Sequence, residues 1–444
     1  MPFAFSLSRL VSVAADVAPH ERKAVMLAFL CNFVLLGSYY ILRPVRDTVA
    51  TIYGVGHLQT LFTATFVFTL LASPLYTALA SRVKLTRLLP GVFTFWLVNV
   101  VLFDVLFNLA PQSRWVAAAY YVWFSVANLF MISVFWSLMV DLFSAAQATR
   151  LFAFISAGGA FGSITGPLLT RLLVRSVGLS GMLLIAAAGF ALLVLIAQLL
   201  IREKDKLRRH DDEAQQSTLD HSLRGNALDG FRQLFKSPYA LNQAAFMLLM
   251  TWVNTVAYFF QTDMIAQAFS AIESRTQALA DIDLIVNIIT AAILTFGLGR
   301  FVQRFGVTAG LLLNPLLMVI AFLGIVVSPS VFVIQVLQVV RRVAQYAIAR
   351  PSREICFTVV EQSSRYKTKN VIDTVVYRFG DVSAAWVQAG MRSLGYTLDG
   401  AVAVGVGASI VWGAVATALG RQYERARLRS QVAERVRNND YQRS

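Results

Sequence analysis

The chain has 444 residues, of which 57% are hydrophobic and only 14% are charged, and its mean hydropathy is +0.63. This balance excludes an ordinary soluble domain, because apolar stretches of about 20 residues, the length that crosses a bilayer core, recur from end to end. The net charge of +15 would suit nucleic acid, but the basic residues lie mainly in loops, beside anionic lipid headgroups. The sequence therefore predicts a polytopic membrane protein with the lipid bilayer, and no nucleic acid, as a partner.

Hydropathy predicts twelve membrane-spanning helices and hence an all-α membrane protein. In chain order the predicted spans are residues 24–42, 58–80, 88–109, 116–138, 151–174, 179–201, 241–262, 284–301, 308–327, 331–349, 371–392 and 398–419. The largest polar insertion, residues 202–238, separates two predicted six-helix halves, 23–201 and 239–420. Two halves around a cytoplasmic linker resemble the layout of major-facilitator transporters.

The distribution of Lys and Arg sets the predicted orientation, because cytoplasmic loops retain positive charge during insertion. Basic residues concentrate in every second loop, which places both termini in the cytoplasm. Residues 1–22 contain no continuous signal core and are predicted to form a cytoplasmic interfacial segment. Residues 421–444 are predicted to form a basic cytoplasmic tail.

The sequence contains no pattern that predicts a bound cofactor or metal. Cys31 and Cys356 lie in or beside spans, which argues against a disulfide framework. The four His residues are not closely paired, so no metal site is predicted. No Gly-Lys-Ser/Thr motif occurs, which disfavours an ATP-driven pump, and no cofactor is expected.

A charged cluster ends the first predicted span, in the sequence SYYILRPVRDTV. Arg43, Arg46 and Asp47 follow one another at i, i+3 and i+4, and therefore share one helix face. Arginine and aromatic residues at the end of a span often anchor it at the membrane interface. Two arginines beside an aspartate also suit a substrate site or a gate, and the sequence leaves both interpretations open.

Small residues recur along two spans at the spacing that lets helices approach closely in lipid. The fifth span has Gly158, Gly162 and Gly166 on one face, and the twelfth repeats the pattern at 405, 409 and 413. Close packing is the favoured interpretation and a moving hinge is the alternative. Pro167, directly after the glycines, is a candidate helix break.

The stretch 341–381 holds six Arg, two Lys, two Glu and two Asp within and between two apolar runs. At 1.5 Å per residue, Arg341 and Arg342 lie about 15–17 Å along the tenth span, near the bilayer midplane. Arg378 and Asp381 lie deep in the eleventh. Charged groups at this depth are costly against lipid, so we expect them to line a wet polar pathway or to pair with each other. Other charged residues are predicted to lie in the loop and act structurally: Glu354, Arg365, Lys367 and Lys369.

Four motifs resemble the ATP/ADP antiporter (nucleotide transporter) family of plastids and intracellular bacteria, in the branch found in many free-living bacteria. They are ILRPVRD after the first span, RLFAFISAGGAFGSITGP in the fifth, SPYALNQAA at the start of the seventh, and ARPSREICFTVVEQSSRYKTKNVIDTVVYRFGD across the tenth and eleventh. The likeness covers about residues 20–420. It implies a twelve-helix major-facilitator-like fold in a bacterial inner membrane, and movement of nucleotides or similar phosphorylated anions.

The resemblance also carries over to single positions. Arg46 corresponds to the basic residue before the aspartate of the family's first span, which implies a phosphate contact. Asp373 corresponds to the aspartate of the K-x-K-x-x-I-D pattern. Other positions depart from the exchangers: Ala257 and Gln261 replace an acid and a lysine in the seventh span, and Asp381 replaces a lysine in the eleventh. We therefore expect ATP/ADP exchange to be weak or absent.

Together these features predict a secondary transporter that moves a nucleotide or another phosphorylated or anionic metabolite by alternating access. The predicted substrate-binding residues are Arg43, Arg46, Asp47, Arg341, Arg342, Arg378 and Asp381. The predicted coupling or gating carboxylates are Asp141 and Asp373, and Asp381 is a further candidate to carry a coupling proton. The alternative class is a non-transporting membrane receptor or scaffold that docks partners through its linker and basic tail. An enzyme is disfavoured, because no nucleophile motif or metal spacing occurs.

Overall fold

The computed structural model describes residues 17–210, 227–328, 330–360, 368–396 and 398–443, and all regular elements within these ranges are helical. Ten helical segments in this part of the chain are long and apolar enough to cross a membrane, which confirms the all-α membrane class. One of them, Gln147–Glu203, covers both the fifth and the sixth predicted spans, and the eleventh is not among the ten. Most of the predicted N-terminal interfacial segment, the centre of the predicted linker, and Arg365 and Lys367 lie outside the described residues.

The first half of the chain forms α1 (Arg22–Tyr53), α2 (Leu58–Arg82), α3 (Leu85–Leu109), α4 (Arg114–Leu142) and α5 (Ala145–His210). The kink in α5 lies at Gly178, whose φ of +67° is in the left-handed region that favours glycine. A break at Pro167 is wrong, because α5 continues through that residue. Pro167 has no N–H to donate to the Ser163 carbonyl, and Asn287 Nδ2 donates to that oxygen instead at 2.6 Å.

The second half forms α6 (Ala227–Lys236), α7 (Pro238–Ala268), α8 (Ile272–Phe296), α9 (Leu298–Val327), α10 (Val331–Val343), α11 (Arg350–Cys356), α12 (Tyr377–Ser393) and α13 (Leu398–Arg443). Two π-helical segments interrupt it: Ala344–Ala349 joins α10 to α11, and Ile372–Val376 precedes α12. The loop prediction is wrong for Glu354 and Lys369, which both lie in helical segments. They fit there because they form an ion pair with each other.

Contacts divide the chain into two compact units. The first unit comprises residues 1–55, 63–220 and 265–287, and the second comprises residues 56–62, 221–264 and 288–444. The N-terminal part of α8 therefore packs within the first unit, although it comes from the second half of the sequence. This placement brings acidic and hydroxyl side chains of α8 beside α1. The domain boundaries drawn from the sequence stay a prediction.

The glycine stripe of α5 packs directly on α1 within the first unit. A Cβ added at Gly158 or Gly162 would collide with the backbone carbonyl oxygens of Phe29 and Phe33. A Cβ at Gly166 would likewise collide with α1. Glycine is therefore required for the approach of these two helices, which supports the close-packing interpretation. The contact holds α1, and with it the arginine cluster near its C-terminal end, in a fixed position.

A second close approach positions the charged part of α12 within the second unit. A Cβ at Gly380 would collide with Thr251 Oγ1 of α7, so the two backbones lie in contact there. This contact brings Asp381, the next residue, beside the following turn of α7. Phe246 of α7 also packs against Trp412 of α13, with ring centroids 5.6 Å apart, in the apolar core of the unit.

Candidate functional site

The polar cluster of the first unit contains an ion pair between neighbouring residues of α1. Arg46 Nε and Nη2 donate to Asp47 Oδ1 at 2.9 and 2.5 Å. The Arg46 guanidinium also lies over two aromatic rings of α4, 5.3 Å from the centroid of Tyr121 and 5.9 Å from that of Phe124. A carboxylate and two aromatic faces thus orient this arginine. The predicted neighbours Arg46 and Asp47 are together, while the aromatic contacts were not foreseen.

Arg43 pairs with an acid that the sequence analysis missed. Its Nη1 lies 3.5 Å from Asp283 Oδ1 of α8, and the exposed fractions of the two side chains are 13% and 2%. The predicted eighth span began at residue 284, but α8 begins at Ile272, so Asp283 lies well inside a helix. An acid, an amide and a hydroxyl at 283, 287 and 276 form a polar stripe at helical spacing. This polar stripe was the sequence signal from which a buried role for Asp283 could have been predicted.

Further polar contacts tie the N-terminal part of α8 to α1. The hydroxyls of Thr48 and Thr276 lie 2.8 Å apart, and both residues are fully buried. One turn away, Arg275 Nη1 donates to Thr51 Oγ1 at 2.9 Å. Hydroxyls and paired charges inside a membrane helix are costly unless they are satisfied, so this contact is specific rather than incidental.

The polar cluster of the second unit is centred on Arg341 of α10, a buried residue. Arg341 Nε and Nη2 donate to Gln338 Oε1 at 2.9 and 2.7 Å, and Nη1 donates to Asn254 Oδ1 of α7 at 2.6 Å. Gln338 Nε2 in turn donates to the Ala257 carbonyl at 2.7 Å. These amide oxygens orient the guanidinium fork.

The π-helical segment that follows α10 carries a second arginine–aromatic pair. Arg342 is buried at the end of α10, and Tyr346 lies one turn further on. The Arg350 guanidinium lies 5.2 Å from the centroid of the Tyr346 ring. Tyr377 of α12 interacts electrostatically with Arg350 and Tyr346. π-helical turns often occur at functional sites, because they break the regular rotation of side chains around the helix.

Asp381 and Arg378 of α12 lie together within this cluster. Thr255 Oγ1 of α7 donates to Asp381 Oδ1 at 2.9 Å, and Arg378 Nη1 lies 3.7 Å from Asp381 Oδ2. The Arg378–Asp381 pair is the structural alternative that their i, i+3 spacing raised. Because Thr255 follows Asn254, adjacent residues of α7 contact both Asp381 and Arg341. Among the predicted residues of this unit, Arg341, Arg378 and Asp381 thus lie around one segment of α7.

Asp373 belongs to a separate ion-pair network. It accepts a hydrogen bond from Nη1 of the buried Arg353 at 2.7 Å, and Arg353 Nη2 donates to Glu354 at 3.1 Å. Glu354 also pairs with Lys369. Each charge in this network has an opposite neighbour, which is typical of a structural role at helix ends. The network anchors α11 to the π-helical segment before α12.

The remaining predicted carboxylate and the metal prediction add little to the site. Asp141 lies half-buried in the last turn of α4. Among the described residues, no group of three or more His, Cys, Asp or Glu side chains is arranged to hold a metal ion. Cys31 and Cys356 are both buried free thiols. The two polar clusters consist of arginine guanidiniums, amides, hydroxyls and aromatic rings. Such groups bind anions by hydrogen bonding and charge.

Membrane-spanning helices, buried arginines and discontinuous helices with π-helical segments define a polytopic membrane transporter. The family model described as the Major Facilitator Superfamily matches residues 28–349. The chain belongs to this superfamily, and it is a secondary transporter.

Relatives are similar over most of the chain, and solved structures share its fold. The ADP,ATP carrier protein 1 of Chlamydia pneumoniae is 22% identical, over 86% of this chain and 87% of its own length. The ADP,ATP carrier protein 1 of Chlamydia trachomatis is also 22% identical, over 86% of this chain and 84% of its own. The POT family transporter PepTSo shares the fold with a TM-score of 0.65 at 11% identity, covering 90% of this chain and 98% of its own. The nucleoside transporter NupG shares it with a TM-score of 0.57 at 15% identity, covering 92% and 99%.

Proposed function

We propose that this transporter carries a nucleotide or a closely similar phosphorylated anion across a bacterial inner membrane by alternating access, with both termini in the cytoplasm. Two kinds of observation support the proposal. The relatives over most of the chain are named ADP,ATP carriers. Each unit also holds buried or half-buried arginines beside aromatic rings, a combination that suits phosphate groups attached to a planar base.

The burial and the contacts of Arg341 give the proposal its strongest structural support. Arg341 is buried within a membrane-spanning helix, and two side-chain amides fix its guanidinium fork. The amides of Gln338 and Asn254 hold the guanidinium fork in one orientation. A fork held in this way suits the oxygens of a phosphate group. In this reading, Arg341 is the principal phosphate contact of the second unit, with Arg342 and Arg378 as further contacts.

The arginines of α1 are assigned a second role in the same function. Arg43 and Arg46 each lie beside a carboxylate, Asp283 and Asp47 respectively. A phosphate that approaches them must compete with that carboxylate, so these pairs would exchange partners during the transport cycle. Asp141, Asp373 and Asp381 remain proposed carboxylates for coupling or gating. Of these, Asp381 is best placed, because it lies in the same cluster as Arg341.

Uptake into proteoliposomes tests the proposal. Purified protein is reconstituted, and labelled nucleotides, sugar phosphates and carboxylates are offered with and without unlabelled solute inside. We expect accumulation of at least one phosphorylated solute, and we expect Arg341→Lys to reduce it strongly, because lysine keeps the charge but loses the fork. Arg421→Lys, an exposed arginine of α13, is the matched control. Uptake of neutral or cationic solutes alone would refute the proposal, and no uptake of any solute would favour a receptor or scaffold.

A further inference from the structure

A cavity of about 310 Å³ lies within the second unit, away from the arginine cluster around α7 residues 254 and 255. It is bounded by the end of α6, the first turns of α7 and the 3-10 turn Phe357–Val359 that follows α11. Its polar lining residues are Gln233, Lys236, Ser237, Tyr239, Gln243 and Thr368, and Ala240, Phe357 and Val360 form its apolar wall. None of the predicted substrate-binding residues lines it.

Two glutamines in this lining have unsatisfied amide oxygens. Gln243 is 1% exposed; its side-chain amide interacts with the Tyr239 hydroxyl, while its Oε1 has no hydrogen-bond partner in the part of the chain that the structure describes. Within the same ranges, the buried Oε1 of Gln233 is also unpartnered. A buried amide oxygen without a partner costs free energy, and such groups in native proteins are satisfied by water, an ion or another ligand. The two amide oxygens of this lining can accept hydrogen bonds from the hydroxyl groups of a ligand.

The rim of the cavity is electropositive. Lys236 is exposed at the end of α6, and α7 begins two residues later, so the positive end of a 31-residue helix dipole lies beside it. Ser237 caps this helix, with its Oγ accepting a hydrogen bond from the Ala240 N–H at 3.3 Å. Arg353 and Lys369 also lie 5.7 Å from the centroid of the Phe357 ring, but both are paired with carboxylates and add little to this charge. These features favour an anion such as phosphate at the mouth.

We propose that this cavity is a second binding site, separate from the transport pathway, that takes a phosphorylated polyol. The phosphate lies beside Lys236 and the N-terminus of α7, and the hydroxyl groups reach the amides of Gln243 and Gln233. The glycerol phosphate headgroup of an anionic lipid and a free polyol phosphate share this chemistry. A lipid source fits the position of α6, where Leu234 is buried in the core while its neighbour Phe235 is 70% exposed, as in helices that lie at a membrane interface.

The experiment uses the full chain purified in detergent. Thermal stabilisation is measured with sn-glycerol 3-phosphate, with inorganic phosphate and with glycerol, since a ligand of the folded state raises the melting temperature. Native mass spectrometry then measures retention of phosphatidylglycerol against phosphatidylcholine. The variants are Lys236→Gln and Gln243→Leu. Their matched controls are Arg232→Gln, an exposed cation of the same helix, and Gln388→Leu, a buried glutamine of α12 whose Nε2 has no partner among the described residues.

We expect either glycerol 3-phosphate or phosphatidylglycerol to bind. Each cavity variant should weaken that binding at least about tenfold, because a charge-assisted or amide hydrogen bond is lost. The control variants should bind as the parent does. Binding of the soluble compound identifies a free polyol phosphate, and binding of the lipid alone identifies a headgroup. If Gln243→Leu does not fold, Gln233→Leu replaces it. The proposal is overturned if neither compound binds, if inorganic phosphate stabilises as strongly as glycerol 3-phosphate, or if the cavity variants bind normally. Normal binding by the variants would assign the ligand to the transport pathway instead.

Discussion

The best-defined arginines of the two clusters are held by different kinds of partner. In the first unit, Arg43 and Arg46 lie beside carboxylates, Asp283 and Asp47. In the second unit, Arg341 is fixed by the amide oxygens of Gln338 and Asn254. A carboxylate neutralises an arginine and must be displaced by an incoming phosphate, whereas an amide only orients it. We infer that the first cluster is suited to a contact that forms and breaks, and that the two amides of the second hold the Arg341 fork in one orientation.

The largest expected effect is on stability, from separating the buried pair of the first unit. Arg43→Ala leaves the Asp283 carboxylate, which is 2% exposed, without this partner. Removing one member of a buried ion pair typically costs about 3–5 kcal/mol of unfolding free energy, because the other charge stays buried. Thermal or SDS denaturation measures the loss. Adding Asp283→Asn to Arg43→Ala should recover part of it, and a double variant no more stable than Arg43→Ala alone would show that the pair is not coupled.

The next effect is on binding, from removing the oriented fork of the second unit. Arg341→Ala should weaken the affinity for the transported anion by about 2–3 kcal/mol, because a charge-assisted hydrogen bond is lost and two amides lose their partner. Arg342→Ala and Arg46→Ala should each cost about 1.5–3 kcal/mol. Isothermal titration or thermal shift with the best-transported solute measures these losses. Equal affinities for the parent and the Arg341→Ala protein would remove Arg341 from the site.

A third prediction separates the chain from the relatives that it resembles. Ala257 and Gln261 of α7 are uncharged, where the exchangers are expected to carry an acid and a lysine. Asp381, which accepts a hydrogen bond from Thr255, stands where they are expected to carry a lysine. A carboxylate at position 381 repels the polyphosphate of ATP at close range. We therefore expect ATP/ADP counter-exchange in proteoliposomes to be weak or absent, and Asp381→Asn to raise nucleotide binding. Robust ATP/ADP exchange by the parent protein would contradict this.

The sequence predicted the helices better than their partners. Hydropathy located the spans, and the i, i+3 spacing of Arg378 and Asp381 anticipated that they lie together. Arg46 and Asp47 are neighbours in the sequence, whereas Arg43, four residues before Asp47, pairs with Asp283. Asp283 was missed because charged residues near a span end shift a hydropathy boundary, so α8 was predicted to begin at residue 284 rather than at Ile272. The predicted start of a span also does not show which other helix supplies the partner of a buried charge such as Asp283. Contacts between distant segments need the folded structure.

The π-helical segments and the cavity could not be predicted from the sequence, because they too depend on contacts between distant segments. A π-helical turn is stabilised by tertiary packing rather than by local propensity, so nothing in the sequence around Ala344–Ala349 or Ile372–Val376 marks one. The cavity depends on Gln233, Gln243 and Phe357, which lie far apart in the chain. Glutamine in an apolar helix was a weak signal, because most such residues find a backbone or side-chain partner.

The smallest expected effect concerns a third charged cluster, at the start of α1. Glu21 is 1% exposed, and its carboxylate accepts hydrogen bonds from Arg150 Nη2, Gln147 Nε2 and the Ala18 N–H at 2.6, 2.7 and 3.0 Å. Burial alone would raise the pKa of Glu21, but these hydrogen bonds and the charge of Arg150 outweigh it and hold the pKa below the ordinary value of 4.5. The unfolded chain therefore binds this proton more readily than the folded one. The stabilisation is fully present above pH 4.5 and is lost as pH falls through the folded-state pKa.

Glu21→Gln should therefore lower the unfolding free energy by about 1–2 kcal/mol at neutral pH, because a charge-assisted hydrogen bond becomes a neutral one. The difference from the parent should shrink as pH falls below 4.5 and disappear below the folded-state pKa, where both folded chains carry a neutral side chain at position 21. Melting temperatures between pH 3 and pH 6 measure the effect, with Glu273→Gln of α8 as the control. A difference between parent and Glu21→Gln that persists unchanged at the acidic end would mean that the side chain stabilises α1 through packing and not through its charge.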